Sequence, residues 1–178
     1  MSAFTERMAQ RASCRKYSDK PVEDVKIVSC INAARLAPSA MNAQAWHFYV
    51  SNEPEKSKAV AELTQLGGIN QWDSQCPAFI VIAQTSGNLV ANIASSATRK
   101  DFRQIDIGIA ALALALEAEE QGLGCCILGI FDEEKLKKTF RIPSNVKIML
   151  VVALGYPAED YRPPVKKRKE LEEIITYL

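Results

Sequence analysis

The chain has 178 residues, 48% of them hydrophobic, with 22 Lys+Arg against 21 Asp+Glu and one histidine. That length supports one substantial core, so a single globular domain over residues 1–178 is expected, and a net charge of +1 offers no electrostatic attraction to nucleic acid or an anionic membrane. No stretch nears the roughly 20 apolar residues that cross a bilayer. The five cysteines are irregularly spaced with no CxxC, which fits reduced thiols in a cytoplasmic protein rather than a disulfide scaffold or zinc site.

Residues 3–12 read as a short opening helix, followed by a polar island, RASCRKY (residues 11–17), in which Arg11, Ser13 and Arg15 cluster. Guanidinium forks bind phosphate-like oxygens bidentately, so this spacing suits a multiply accepting anion. A second helix is expected to begin after Asp19-Lys20-Pro21, with Pro21 near its first turn and Glu23 and Asp24 at the positive end of its dipole. Ile27, Ile31 and Ala34, with Val28 beside them, mark its apolar face, and Pro38 stops it. A second island, APSAMNAQAWHF (residues 37–48), carries Ser39, Asn42 and Gln44, side chains that both donate and accept hydrogen bonds. Such groups suit the edge of a heterocycle with alternating donors and acceptors, such as an isoalloxazine or pterin, and the two islands look like two walls of one ligand site.

Residues 46–51 are aromatic and β-branched enough for a strand, residues 53–66 look like a helix stopped by Gly67-Gly68, and residues 79–83 form an apolar run expected to be a strand buried on both faces. The Ser/Ala/Asn-rich stretch 85–100 lacks a period and is expected to be a mobile loop or irregular helix over a site. Residues 104–121 predict a long helix that is apolar around most of its circumference until Glu117, as in helices buried on several sides in the middle of a domain or between subunits. Strands are expected over 126–130 and 147–154, flanking a helix over 133–140 capped by Asp132. A basic run at residues 166–169 leads into the apolar tail. This alternation of helices with about four strands suggests an α/β sandwich with a parallel sheet.

Counting residues removes several chemistries. One histidine, His47, excludes a His-rich metal site, and it lies inside an aromatic strand rather than at a nucleophile elbow. Gly122, Gly124 and Gly129 are spaced wrongly for a dinucleotide fingerprint, and no P-loop is present. Cys125-Cys126 reads as two small residues filling a buried strand.

The pattern R-x-S-x-R-x-[FY], followed about 25 residues later by A-P-S-x-x-N-x-Q-x-W-x-F, resembles the FMN-dependent nitroreductase family. DIGIA, GLGCCILGIFDEEKL and LGYPAEDYRPPVKKRKELEEII fit the same family in the same order, so the likeness spans nearly the whole chain. The resemblance implies an α+β fold, a three-layer α/β/α sandwich with a mixed, mostly antiparallel sheet, in a homodimer that exchanges its C-terminal segment. It implies FMN at the dimer interface, held by Arg11, Ala12, Ser13 and Arg15 with Lys166 and Arg168 closing the phosphate site. Pro38, Ser39, Ala40, Asn42 and Gln44 would reach the ring from the partner chain. Ile127, Leu128 and Gly129 would lie along the ring through backbone groups, and Asn70 would be a further contact. The two islands would then serve opposite subunits. Ala12 and Ala45 depart from the family pattern, standing where arginine and proline are common.

The implied activity is a two-step transfer in which NADH or NADPH gives hydride to flavin N5 and a small electron-poor acceptor, a nitroaromatic or quinone, then takes the electrons. No protein acid, nucleophile or metal is required, because the cofactor carries the chemistry. The alternatives are an FMN-binding sensor or storage protein without turnover, and a family dehalogenase or flavin-fragmenting enzyme.

Overall fold

The computed structural model describes residues 2–88, 90, 93 and 100–178. Two helices open the chain, α1 (Ala3–Gln10) and α2 (Asp24–Arg35), and β1 (Trp46–Ser51) and α3 (Pro54–Thr64) follow. Next come β2 (Ala78–Gln84), α4 (Phe102–Glu120), β3 (Gly124–Leu128), α5 (Glu133–Phe140) and β4 (Lys147–Gly155). Most of the stretch expected to cover a site, residues 85–100, lies outside the described residues.

The four strands form one sheet in the order β1-β2-β4-β3, with every neighbouring pair antiparallel. The parallel sheet suggested by alternation is therefore wrong, and the topology shows why. The crossover β2-α4-β3 does join two strands of the same direction, but β4 inserts between them and pairs antiparallel to both. Sequence alternation reports the crossover and is silent about the strand that later fills the gap.

Helices cover both faces, giving three layers. Ile27, Cys30 and Ala34 of α2 and Ile107, Ala110 and Leu114 of α4 pack with Ile80, Ile82 and Val152 on one face. Val60 and Ala61 of α3 and Leu136 of α5 pack with Phe79, Val81 and Val151 on the other. Since successive strand residues point to opposite faces, the adjacent Cys125 and Cys126 enter different cores. Burial pushes both thiols up, Cys125 to about 12, which leaves them protonated and inert.

Local chemistry sets the element ends. Asp101 caps α4 by accepting from the Arg103 amide at 3.2 Å, and Asp132 caps α5 by accepting from the Lys135 amide at 3.1 Å. Pro21 lies ahead of α2, whose N-cap is Glu23, and the helix ends before Pro38. Its buried face runs through Ile27, Cys30 and Ala34, while Val28 points outward, a rotation from the expected face. β3 begins two residues earlier than expected, leaving Gly129 and Ile130 beyond its end. The helix α4 is not buried all round: Ile107, Ala110, Ala111 and Leu114 face the core, whereas Ile105, Ile109 and Leu112 are exposed.

Candidate functional site

The segment after α1 leaves the helix at Arg11 and runs in extended form beside β3, joined by a parallel bridge between Ser13 and Cys125. The Cys14 amide donates to the Cys125 carbonyl at 2.9 Å. Alternation along an extended strand turns Cys14 inward, where it is 1% exposed, and directs its neighbours Ser13 and Arg15 to the opposite side. Two tyrosines fix the backbone from behind, with the Tyr17 hydroxyl donating to the Cys14 carbonyl at 3.0 Å and the Tyr161 hydroxyl to the Ser13 carbonyl at 3.2 Å. The loop after β4 adds bonds from the Ala158 amide to the Lys16 carbonyl and from the Ser18 amide to the Tyr156 carbonyl. Arg11, Ala12, Ser13 and Arg15 are thus displayed from a strip held against β3, an arrangement that sequence spacing alone does not reveal.

Gly124 makes this close approach feasible. A Cβ there would stand 2.6 Å from the Cys14 Cβ and 2.8 Å from its sulfur.

The C-terminal tail returns to the same place. The Lys166 ammonium donates to the Ala9 and Arg11 carbonyls, satisfying acceptors that the end of α1 leaves free. Burial first, and then the Arg11 and Arg168 cations, hold that ammonium below the usual lysine range, against the pull of Glu119. Arg11, Lys166 and Arg168 therefore lie near one another. None of these three, nor Arg15, forms an ion pair with a described residue. Arg168 donates to the Lys167 carbonyl from an exposed position.

The second island is held differently. Pro38 is exposed, and Ala40–Asn42 form a single 3-10 turn whose Ala40 amide donates to both carboxylate oxygens of Asp106, at 3.1 and 3.2 Å. The Gln44 backbone amide donates to the Ser39 hydroxyl at 3.0 Å, and the Gln44 Nε2 to the Asn42 side-chain Oδ1 at 3.1 Å. Met41, Asn42 and Gln44 all take positive φ, at 53°, 51° and 46°. Such conformations are uncommon for residues with a Cβ and tend to collect at binding sites.

In one chain the islands do not face each other. The second leads into β1 at one edge of the sheet and the first pairs with β3 at the other. Four strand spacings separate them, roughly 20 Å, so the expectation of two walls of one site fails within a single chain.

The remaining candidates divide. Ile127 is 38% exposed, Leu128 turns its side chain into the core, and Gly129 is exposed beyond the strand. Asn70 is occupied structurally: it takes the left-handed conformation and its side chain donates to the Thr64 carbonyl, ending α3. His47 is an exposed strand residue whose ring lies 4.6 Å from that of Tyr49.

Two contributors escaped the sequence reading. Asp106 is 4% exposed and organises the second island; its signal was an acid standing alone in the apolar run of α4 before Glu117. Glu119 lines a 290 Å³ cavity together with Arg11 and Cys125, and nothing in its local sequence sets it apart from its acidic neighbours.

Among the described residues no group of His, Cys, Asp or Glu could hold a metal ion, and no helix is long and apolar enough to cross a membrane. The family model of the Nitroreductase family matches residues 8–156. An Archaeoglobus fulgidus protein whose name assigns it NADH dehydrogenase/NAD(P)H nitroreductase activity is 34% identical over 84% of this chain and 83% of its own. A nitroreductase family protein from Streptococcus pneumoniae superposes with a TM-score of 0.83 at 25% identity, covering 98% of this chain and all of that one. An FMN-dependent nitroreductase from Clostridium difficile superposes with a TM-score of 0.75 at 25% identity, covering 96% of each chain.

Proposed function

The chain belongs to the nitroreductase family, and from that premise we propose that it is an FMN-dependent oxidoreductase that draws electrons from NADH or NADPH and reduces electron-poor acceptors such as nitroaromatics or quinones. One observation carries the cofactor assignment: Arg11, Lys166 and Arg168 crowd at one place without an ion-pairing acid among the described residues. A phosphate dianion meets that need, because guanidinium and ammonium donors together neutralise it through charge-assisted bonds. The donor set therefore fits FMN. When bound, FMN supplies hydride acceptance and donation, chemistry that this chain's side chains lack.

The protein's share is binding and orientation. Arg11, Lys166 and Arg168 hold the phosphate. Ser13 and Arg15, fixed by the Cys125 bridge, direct donors along the cofactor toward its pyrimidine side. The backbone from Ile127 to Gly129 would serve the ring, and Ser39, Asn42 and Gln44 of a second copy would supply donors and acceptors for its edge. A positive Arg15 opposes the negative charge that develops there on reduction.

The same reading requires a homodimer. Exposed apolar side chains on α2 (Val25, Val28) and α4 (Ile105, Ile109, Leu112) support it, since monomers seldom leave extended apolar faces wet. So do Leu171, Ile174 and Tyr177 of the tail, all more than half exposed and available to embrace a second copy. The islands on opposite sheet edges give such a dimer two sites, each built from both chains.

The test is anaerobic mixing of the purified yellow protein with NADH and with NADPH. Bleaching of the flavin absorption, and its return on adding a quinone or nitroaromatic, is the expected result. A protein that binds FMN and is bleached by neither nicotinamide would refute the reductase assignment, and one that binds no FMN would refute the cofactor.

A further inference from the structure

We propose that Glu119 is a positioning residue for the cofactor phosphate, and that FMN binding is coupled through it to uptake of one proton from solvent. The inference rests on the proposed placement of that phosphate at Arg11, Lys166 and Arg168.

Glu119 sits in the last turn of α4 and looks into the 290 Å³ cavity that Arg11 also lines. Its Oε2 is buried and has no hydrogen-bond partner among the described residues. A buried carboxylate oxygen without a donor is costly in its charged form, and burial raises this carboxyl above the usual range. What keeps the charge tolerable is the field of three cations, Lys166, Arg11 and Arg7.

Every element around the carboxyl contributes to that balance. From α1 comes Arg7, already engaged with Glu120, and from the following segment comes Arg11. The tail brings Lys166, which is itself beside Arg168. Cys14, Cys125 and Tyr161 line the same cavity, and burial keeps all three protonated. Glu120, on the same helix, is taken up by Arg7. Two of the three compensating cations, Arg11 and Lys166, are thus the ones that the phosphate would engage.

Arg11 and Lys166 would then be shared between the phosphate and the carboxylate. When the dianion arrives, the Glu119 carboxylate loses compensation and meets a new negative neighbour, so its proton affinity rises. The carboxylate takes a proton from solvent, and the protonated acid donates from the oxygen that had no donor. Affinity for FMN therefore falls as pH rises through the titration of Glu119.

The experiment is fluorescence titration of FMN and of riboflavin, which lacks the phosphate, into the cofactor-free wild type and Glu119→Gln between pH 5.5 and 8. Ionisation of the FMN phosphate itself is common to both proteins and cancels in their ratio. The variant should bind FMN about tenfold more tightly than wild type at pH 8, a ratio that closes toward unity at pH 5.5 and stays near unity throughout for riboflavin. Parallel FMN profiles for the two proteins, or an equal divergence for riboflavin, would overturn the inference. If neither protein binds FMN at any pH, the cofactor assignment has failed instead. Calorimetry of wild type at pH 7.5 in buffers of different ionisation enthalpy gives a reading independent of the variant's folding: net proton uptake with FMN beyond that with riboflavin is expected, and its absence refutes the coupling.

Discussion

Replacing Gly124 with alanine tests the strip that carries Arg11, Ser13 and Arg15. The added Cβ would lie 2.6 Å from the Cys14 Cβ, 2.8 Å from its sulfur and 3.2 Å from the Pro157 Cγ, where carbon atoms normally rest about 3.5–4.0 Å apart. Relief needs about 1 Å of separation between β3 and the strip, yet the Cys14 amide and Cys125 carbonyl hold the two at 2.9 Å, and the Tyr17 hydroxyl holds the Cys14 carbonyl from the other side. Overpacking of this kind costs about 1–3 kcal/mol, and weakening the bridging hydrogen bond adds about 1 kcal/mol. The smaller unfolded-state entropy of alanine offsets about 0.4–1 kcal/mol. The net loss of about 1–3.6 kcal/mol should lower the melting temperature by about 2–14 °C at this chain length, read by calorimetry or circular dichroism. FMN affinity should fall in the same variant, because Ser13 and Arg15 move with the strip. A Gly124→Ala protein with wild-type melting and wild-type FMN affinity would refute the argument that Cys14 anchors the site.

Two other perturbations address the assembly and the scaffold. Ile109→Glu places a charge in the apolar stripe of α4, where Ile109 is 39% exposed in the single chain; sedimentation should show a dimer become a monomer that retains its helical spectrum but no longer holds FMN, and a dimer unaffected by the change would exclude this face from the interface. Asp73 is fully buried and accepts from the Thr64 hydroxyl and the Gln65 amide, and burial raises its carboxyl above the usual range. A raised folded pKa means that the folded state binds the proton more tightly, so this group's stabilisation is complete below the unfolded value of about 4 and is lost as pH rises through the folded value. Asp73→Asn should remove that decline, flattening stability against pH in urea titrations on the acid side of neutrality; equal slopes for variant and wild type would show that Asp73 does not titrate there.

Strand existence and helix existence were legible because each rests on a local signal. The apolar run AFIVIA of β2, buried throughout, and the Asp132 cap of α5 need no distant information to be recognised. Strand direction was not legible, since it depends on where β4, over 60 residues after β2, enters the sheet. The outward turn of Val28 was missed for a related reason: an apolar residue on a helix reads as core unless one knows that a neighbouring face stays uncovered within the chain. For the proposed site, arginines and a serine at alternating positions singled out Arg11, Ser13 and Arg15 as candidates, and a basic run singled out Lys166 and Arg168. Asn70 has a structural partner that local sequence does not announce, its side chain ending α3 at the Thr64 carbonyl. Glu119 and Asp106 acquire their roles from groups far away in sequence, Arg11 and Ala40, and no local pattern encodes such a meeting.

The width of the sheet has a consequence for how this protein can change. With the islands at opposite edges, each chain of the proposed dimer lends its first island to one site and its second to the other. A substitution in the first island and a compensating one in the second then meet only across the molecular boundary, so the chemistry of either site is written jointly by two copies. In a mixed dimer, where one copy carries the first change and its partner the second, one site would hold both changes and the other neither. Compensation between the islands is thus a property of the pair, and a chain bearing both changes satisfies itself only by finding its own double.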